Sequence, residues 1–191
     1  MSSALLLAAS AIFLIAFVMY NRGILRGKNT PAFAAWSVFS LITLVNCVTY
    51  LQFTKSWVNV AVLFTDFVIC AGTTLIVLVH LRGKVCVDQT DKAIVLVSLS
   101  AVLLWTVFNT AIGGNLLNQV AYTLTFIPTY RNVLRNPNDE PTLPWALWTM
   151  AFVLNIIALA LQPQAQPIDY VSPVVCLMHH VAITLLSRRR R

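Results

Sequence analysis

The sequence predicts an all-α membrane fold, with seven transmembrane helices as two parallel three-helix repeats joined by a linker helix (a 3-1-3 plan). Three observations predict it. Of 191 residues, 59% are hydrophobic and 10% charged, against about 25% charged in soluble domains. So few charges cannot cover a water-facing surface. Seven apolar runs approach the ~20 residues a helix needs to cross a bilayer. The lysines and arginines fall almost wholly in alternate gaps between those runs.

The runs are 4–20, 32–53, 57–81, 93–112, 115–130, 143–161 and 169–187. They make one transmembrane domain over 1–191. The first lacks a basic region ahead of it and is followed by Arg22, Arg26 and Lys28, so it reads as an uncleaved span rather than a signal peptide. The fifth is the most polar, with Asn118, Gln119, Thr123, Thr125 and Pro128. Polar groups in hydrocarbon are costly, so this helix is expected inside the bundle, surrounded by the others. Gly113-Gly114 is expected to turn the chain between the fourth and fifth spans, and Pro137, Pro141 and Pro144 punctuate the approach to the sixth. Helices are the expected form throughout, because lipid offers no partner to free backbone groups.

Charge sets the expected direction. The first gap holds Arg22, Arg26 and Lys28, the third Arg82, Lys84 and Lys92, the fifth Arg131 and Arg135, and the tail four arginines. The second gap has only Lys55. With seven spans, twelve of thirteen positive charges lie on one side. That predicts an outside N-terminus and a cytoplasmic C-terminus in the cell (inner) membrane.

The net charge of +7 does not point to nucleic acid, since the basic residues have no soluble fold behind them. The four cysteines show no paired spacing, so neither a disulfide framework nor structural zinc is expected. No glycine-rich nucleotide loop, no Ser-His-Asp order and no paired carboxylates are present, so no enzyme and no cofactor are expected. Retinal is excluded because every lysine lies in a gap.

An internal repeat organises the rest. At an offset of 109, residues 20–50 match 129–159 at Arg22/Arg131, Leu25/Leu134, Arg26/Arg135, Asn29/Asn138, Trp36/Trp145 and Asn46/Asn155. At an offset of 106, Cys70 meets Cys176 and Arg82 meets Arg188. The repeats are then 1–84 and 115–191, with 93–112 as the linker helix. An odd number of linking spans gives both repeats one orientation. Parallel repeats of this kind are a known transporter plan, with the solute site near mid-membrane. Convergence of two helical hairpins by composition is the competing explanation.

Candidate residues follow from that plan. Asp66 is the one acidic residue well inside a span. It is either a solute acceptor or proton-coupling site, or a structural carboxyl hydrogen-bonded to a neighbouring helix. Asn46 and Asn155 occupy matched positions and offer donors and acceptors to a neutral solute, or bond helix to helix. Trp36 and Trp145 suit either an aromatic belt or stacking on a ligand, and Trp148 also suits the belt. Ser172 and His179 complete the expected lining. His179 and His180 point about 100° apart, so only one of them can face a cavity easily. No metal site is expected. Pro128 removes a backbone hydrogen bond and is a candidate hinge. The loop arginines set topology and touch lipid phosphate, and with Asp139 and Glu140 are candidates for gate pairs.

The segment Phe126-Ile127-Pro128-Thr129, Arg135-Asn136-Pro137, Glu140, Pro144-Trp145 and Trp148, on the 3-1-3 plan, resembles the SWEET and PQ-loop superfamily, which includes PnuC-type vitamin transporters. The likeness is to small bacterial seven-span proteins within it and covers nearly the whole chain in topology. The sequence departs from the named motif, with Pro128-Thr129 in place of Pro-Gln and Met19-Tyr20 in the first repeat. The resemblance implies passage of a small polar solute by alternating access without ATP hydrolysis, through a Trp/Asn cage between the repeats. The superfamily also has cargo-binding members, so a non-transporting receptor or scaffold is the alternative. Oligomeric state is left open.

Overall fold

The computed structural model describes residues 2–54, 57–80 and 111–189, with scattered positions between 89 and 103. All regular structure among them is helical: α1 (Ser2–Leu25), α2 (Phe33–Thr54), α3 (Trp57–His80), α4 (Ala111–Arg135), a 3-10 turn (Pro137–Asp139), α5 (Thr142–Ala160) and α6 (Pro167–Ser187). Eleven of the twenty residues of the expected linker span at 93–112 lie outside the described residues, as do Lys55, Arg82, Lys84, Cys86 and Trp105.

Four stretches are long and apolar enough to cross a membrane: Ser2–Leu25, Val60–His80, Thr142–Ala160 and Pro167–Ser187. Large apolar side chains such as Leu7, Val79, Leu134 and Met178 face outward, while Asn46, Asp66, Asn118, Gln119 and Asn155 are buried. Polar groups inside and leucine outside is the distribution a hydrocarbon surrounding favours.

Helix ends follow local chemistry. α1 runs past Arg22 and stops at Gly27, whose φ of 65° suits glycine. Gly27 N–H donates to Ile24 O and Lys28 N–H to Gly23 O, both at 2.9 Å, which closes a Schellman cap. Asn136 caps the 3-10 turn by accepting from Asn138 N–H at 3.2 Å. α6 opens on Pro167 with a capping box, in which Gln166 N–H donates to Asp169 Oδ2 at 2.7 Å.

Two expectations on α4 are corrected. Gly113-Gly114 does not turn the chain but lies in the helix. A glycine inside a helix costs only about 1 kcal/mol, less than freeing backbone groups in hydrocarbon. Among the described residues the helix is also not surrounded. It packs on α2 and α6 and turns Leu116, Val120 and Leu134 outward. Its polar residues are buried by facing one way rather than by enclosure.

The packing order has a two-fold pattern. α3 lies against both α1 and α2, and α6 against both α4 and α5. The two triplets then join twice, α1 on α5 and α2 on α4. The ring closes as α1–α3–α2–α4–α6–α5–α1. Matched side-chain bonds repeat across it. Ser40 and Thr74 share a hydrogen bond at 2.9 Å, and Thr149 and Thr184 share one at 3.3 Å. Thr74 and Thr184 each donate back to the carbonyl four residues earlier, Cys70 and His180. By these bonds the third helices correspond at an offset of 110, one turn from the 106 suggested by the cysteines.

Candidate functional site

Two small cavities lie one above the other inside the ring. The upper sits toward the end bearing the α2–α3 and α5–α6 connections and has a volume of about 30 Å³, room for a water or two. Asn46, Asn155, Ser172 and Asp169 supply its polar lining, with Tyr50 and Gln162. Asn46 and Asn155, matched in the repeat, thus meet at one void. Asn118 of α4 donates through Nδ2 to Asn46 Oδ1 and, at 3.3 Å, to Ile42 O. Gln119 keeps both amide atoms buried with no partner among the described residues.

The lower cavity, about 20 Å³, is lined by Asp66, Cys70, Trp36, Trp145, Trp148 and His180 among others. Asp66 is 8% exposed, and Cys70 Sγ donates to its Oδ1 at 3.9 Å. Trp36 and Trp145, the second matched pair, both reach this void. His180 has Nδ1 at 2.7 Å from Cys176 O. A carbonyl only accepts, so Nδ1 carries the hydrogen, and in the neutral tautomer this leaves Nε2 as an acceptor.

Three expectations change here. His179 does not line the cavity. It stacks on Phe126 (centroids 4.4 Å apart, planes at 11°) and shares a 2.8 Å hydrogen bond with Tyr130 Oη, while His180 takes the inner face. Trp36, Trp145 and Trp148 form no belt, being 4%, 1% and 2% exposed. They stack around Tyr20, with Trp148 at 5.1 Å from Trp145 and 6.0 Å from Trp36. Each triplet packs its aromatics on the other's, which buries them away from the headgroup level. Third, among the described residues Glu140 joins no arginine. Its Oε2 accepts from Tyr20 Oη at 3.0 Å and from Trp145 Nε1 at 2.8 Å. Burial pushes its carboxyl up to about 7, despite these two donors. Asp139 Oδ1 instead accepts from Asn136 Nδ2 at 2.9 Å.

Glu140 is the functional candidate that sequence reasoning undervalued. The signal was its place between Pro137 and Pro144, directly ahead of an apolar run, where a solvated charge is out of keeping. Pro128 is buried within α4, which continues through it to Arg135, leaving the Leu124 carbonyl without its helical donor. Pro173 in α6 is a second buried proline of this kind.

Below the aromatic layer a third concavity, about 470 Å³, opens at the end bearing Arg22, Arg26 and Lys28. The Tyr20–Glu140–Trp145 bonds lie between it and the lower cavity. No family model, no curated protein and no solved structure matches the chain.

Proposed function

We propose that this chain is a multi-pass membrane transporter that carries a small polar solute by alternating access, without ATP hydrolysis and without chemistry on the solute. Two like-oriented triplets rock about the ring's axis, joined by the 93–112 segment, with the N-terminus outside and the basic end cytoplasmic. The observation that carries the reading is the closed two-fold ring. Its matched residues, Asn46 with Asn155 and Trp36 with Trp145, converge on stacked cavities. Amides and a carboxylate are costly to bury in hydrocarbon and mark solute paths where they line a cavity, and that supports the reading. The Tyr20–Glu140–Trp145 layer is the closed gate at the basic end, and the upper cavity is the constricted outer path.

The test starts from purified protein and a panel of sugars, amino acids and nucleosides. A solute that raises Tm is then offered, radiolabelled, to proteoliposomes. Uptake that runs to equal concentrations and stops in Asp66→Leu vesicles is expected. Binding without uptake would make the protein a receptor and end the transport reading.

A further inference from the structure

The basic concavity has a composition unlike the two inner cavities. Arg22, Arg26 and Lys28 line it from the end of α1 and its cap, and Asn138 and Thr142 from the far wall. Among the described residues no ion pair engages the three cations. The nearby carboxylates are occupied. Glu140 is 1% exposed with Oε2 held by Tyr20 and Trp145, and Asp139 Oδ1 is held by Asn136.

The rim is apolar. Met19 and Leu143 stand at the mouth and are exposed. From Met19 an outward stripe continues along α1 through Ile15 to Ala8, and from Leu143 another along α5 through Met150 to Ile157. α1 and α5 pack on each other, so both stripes descend from one basic mouth. Three cations with no ion pair among the described residues, at the end of paired apolar tracks, fit a molecule with an anionic head and two hydrocarbon tails. A free polar anion has no use for the tracks.

We propose that this concavity binds the phosphate headgroup of an anionic phospholipid, with its acyl chains lying along α1 and α5. The phosphate takes charge-assisted hydrogen bonds from Arg22 and Arg26 and a point charge from Lys28. Basic pockets between transmembrane helices are suited to such headgroups. A lipid seated there touches Gly23 and Pro141, next to the Tyr20–Glu140 bond. The site rests on the membrane reading but not on transport.

The test uses the full chain in detergent, with short-chain phosphatidylglycerol as probe. Short-chain phosphatidylcholine, glycerol 1-phosphate and inorganic phosphate form the comparison arms. Adducts are counted by native mass spectrometry and Tm is followed in parallel. Phosphatidylglycerol is expected to give a one-to-one adduct and raise Tm, and the other three to do neither. Arg22→Gln/Arg26→Gln/Lys28→Gln is expected to weaken the adduct by on the order of a hundredfold, from roughly fivefold per charge. Arg135→Gln, an exposed cation outside the concavity, is expected to leave it unchanged. Arg22→Lys/Arg26→Lys is expected to restore part of it. Equal binding of phosphatidylcholine, an undiminished adduct in the triple variant, or a matching effect of inorganic phosphate would each overturn the assignment. Lipid-free Tm of the triple variant within a few degrees of wild type shows that any loss is not misfolding. Because no solute is involved, a failed uptake assay leaves this result standing.

Discussion

Tyr20 and Glu140, 120 residues apart in sequence, are joined by a 3.0 Å hydrogen bond in which the phenol donates to Oε2. The same oxygen accepts from Trp145, so one carboxylate fastens α1 to the start of α5, across the boundary between the triplets. Glu140 lies outside the helices, yet burial raises its carboxyl to about 7 from an ordinary value of 4.5. The folded protein therefore holds this proton more tightly than the unfolded chain does. Stability is greatest below pH 4.5 and falls as pH rises through 7, by on the order of 3 kcal/mol. Tm measured in detergent from pH 4.5 to 8 is expected to show this decline. Glu140→Gln is expected to flatten it. Tyr20→Phe, which removes a donor to the charged form, extends the decline to higher pH. An unchanged slope in Glu140→Gln would assign the dependence to another group.

The tryptophan cluster gives a second prediction. A belt tryptophan at a headgroup is replaced at small cost, whereas truncation of a buried aromatic costs about 3–5 kcal/mol. Trp148 packs against Tyr20, Trp36, Trp145 and His180 and donates through Nε1 to Phe13 O at 3.4 Å. Trp148→Ala and Trp36→Ala are expected to lower Tm sharply. Denaturant unfolding in mixed micelles is the check, and a loss under about 1 kcal/mol would return both residues to the lipid interface.

The interior amides give a third. Asn118 donates to Asn46 across α4 and α2, a joint between the two triplets. Interhelical hydrogen bonds in membranes average about 0.6 kcal/mol and reach about 1.7. A double-mutant cycle of Asn46→Ala and Asn118→Ala is expected to give a coupling in that range. The single Asn118→Ala loss should exceed the coupling, because Ile42 O also loses its donor. A coupling of zero would mean the two amides meet without holding the triplets together.

How much of this was legible in the sequence depends on which physical force set each feature. The positions of α1, α2, α3, α5 and α6 follow from hydropathy alone, because solvent preference acts residue by residue. The ends were misjudged where a local cap decides them: α1 continues over Arg22 until Gly27 supplies its positive φ. Gly113-Gly114 read as a break because glycine's turn preference is measured in water. Asn46 with Asn155 and Trp36 with Trp145 were paired by their offset in sequence, and each pair lines one cavity in the structure. Trp36, Trp145 and Trp148 lie at helix ends, where sequence cannot distinguish a belt from an aromatic layer. Glu140 read as an arginine partner because its donors come from a distant tyrosine and an indole, neither of which has a charge to count.

The choice between His179 and His180 was beyond sequence, since both sit on one helix about 100° apart and either could face the ring's interior. His179 lies between α4 and α6 with its ring on Phe126 and hydrogen bonds to Tyr130 and Thr123. His180 lines the lower cavity with Asp66, packs on Trp145 and Phe152, and has only Nδ1 engaged with the backbone. His180→Phe keeps a ring of similar size in the aromatic layer and deletes the acceptor that the imidazole offers a solute. Losing a hydrogen bond of about 1 kcal/mol is expected to cut solute affinity roughly fivefold, with Tm changed by only a few degrees. His179→Phe keeps the stacking on Phe126 but breaks two bonds between α4 and α6, so it is expected to lower Tm and leave solute affinity within about twofold. Equilibrium binding of the radiolabelled solute, scored beside Tm for both variants, separates the roles. If His179→Phe weakened binding while His180→Phe did not, the solute would have to sit between α4 and α6 rather than on the ring's axis.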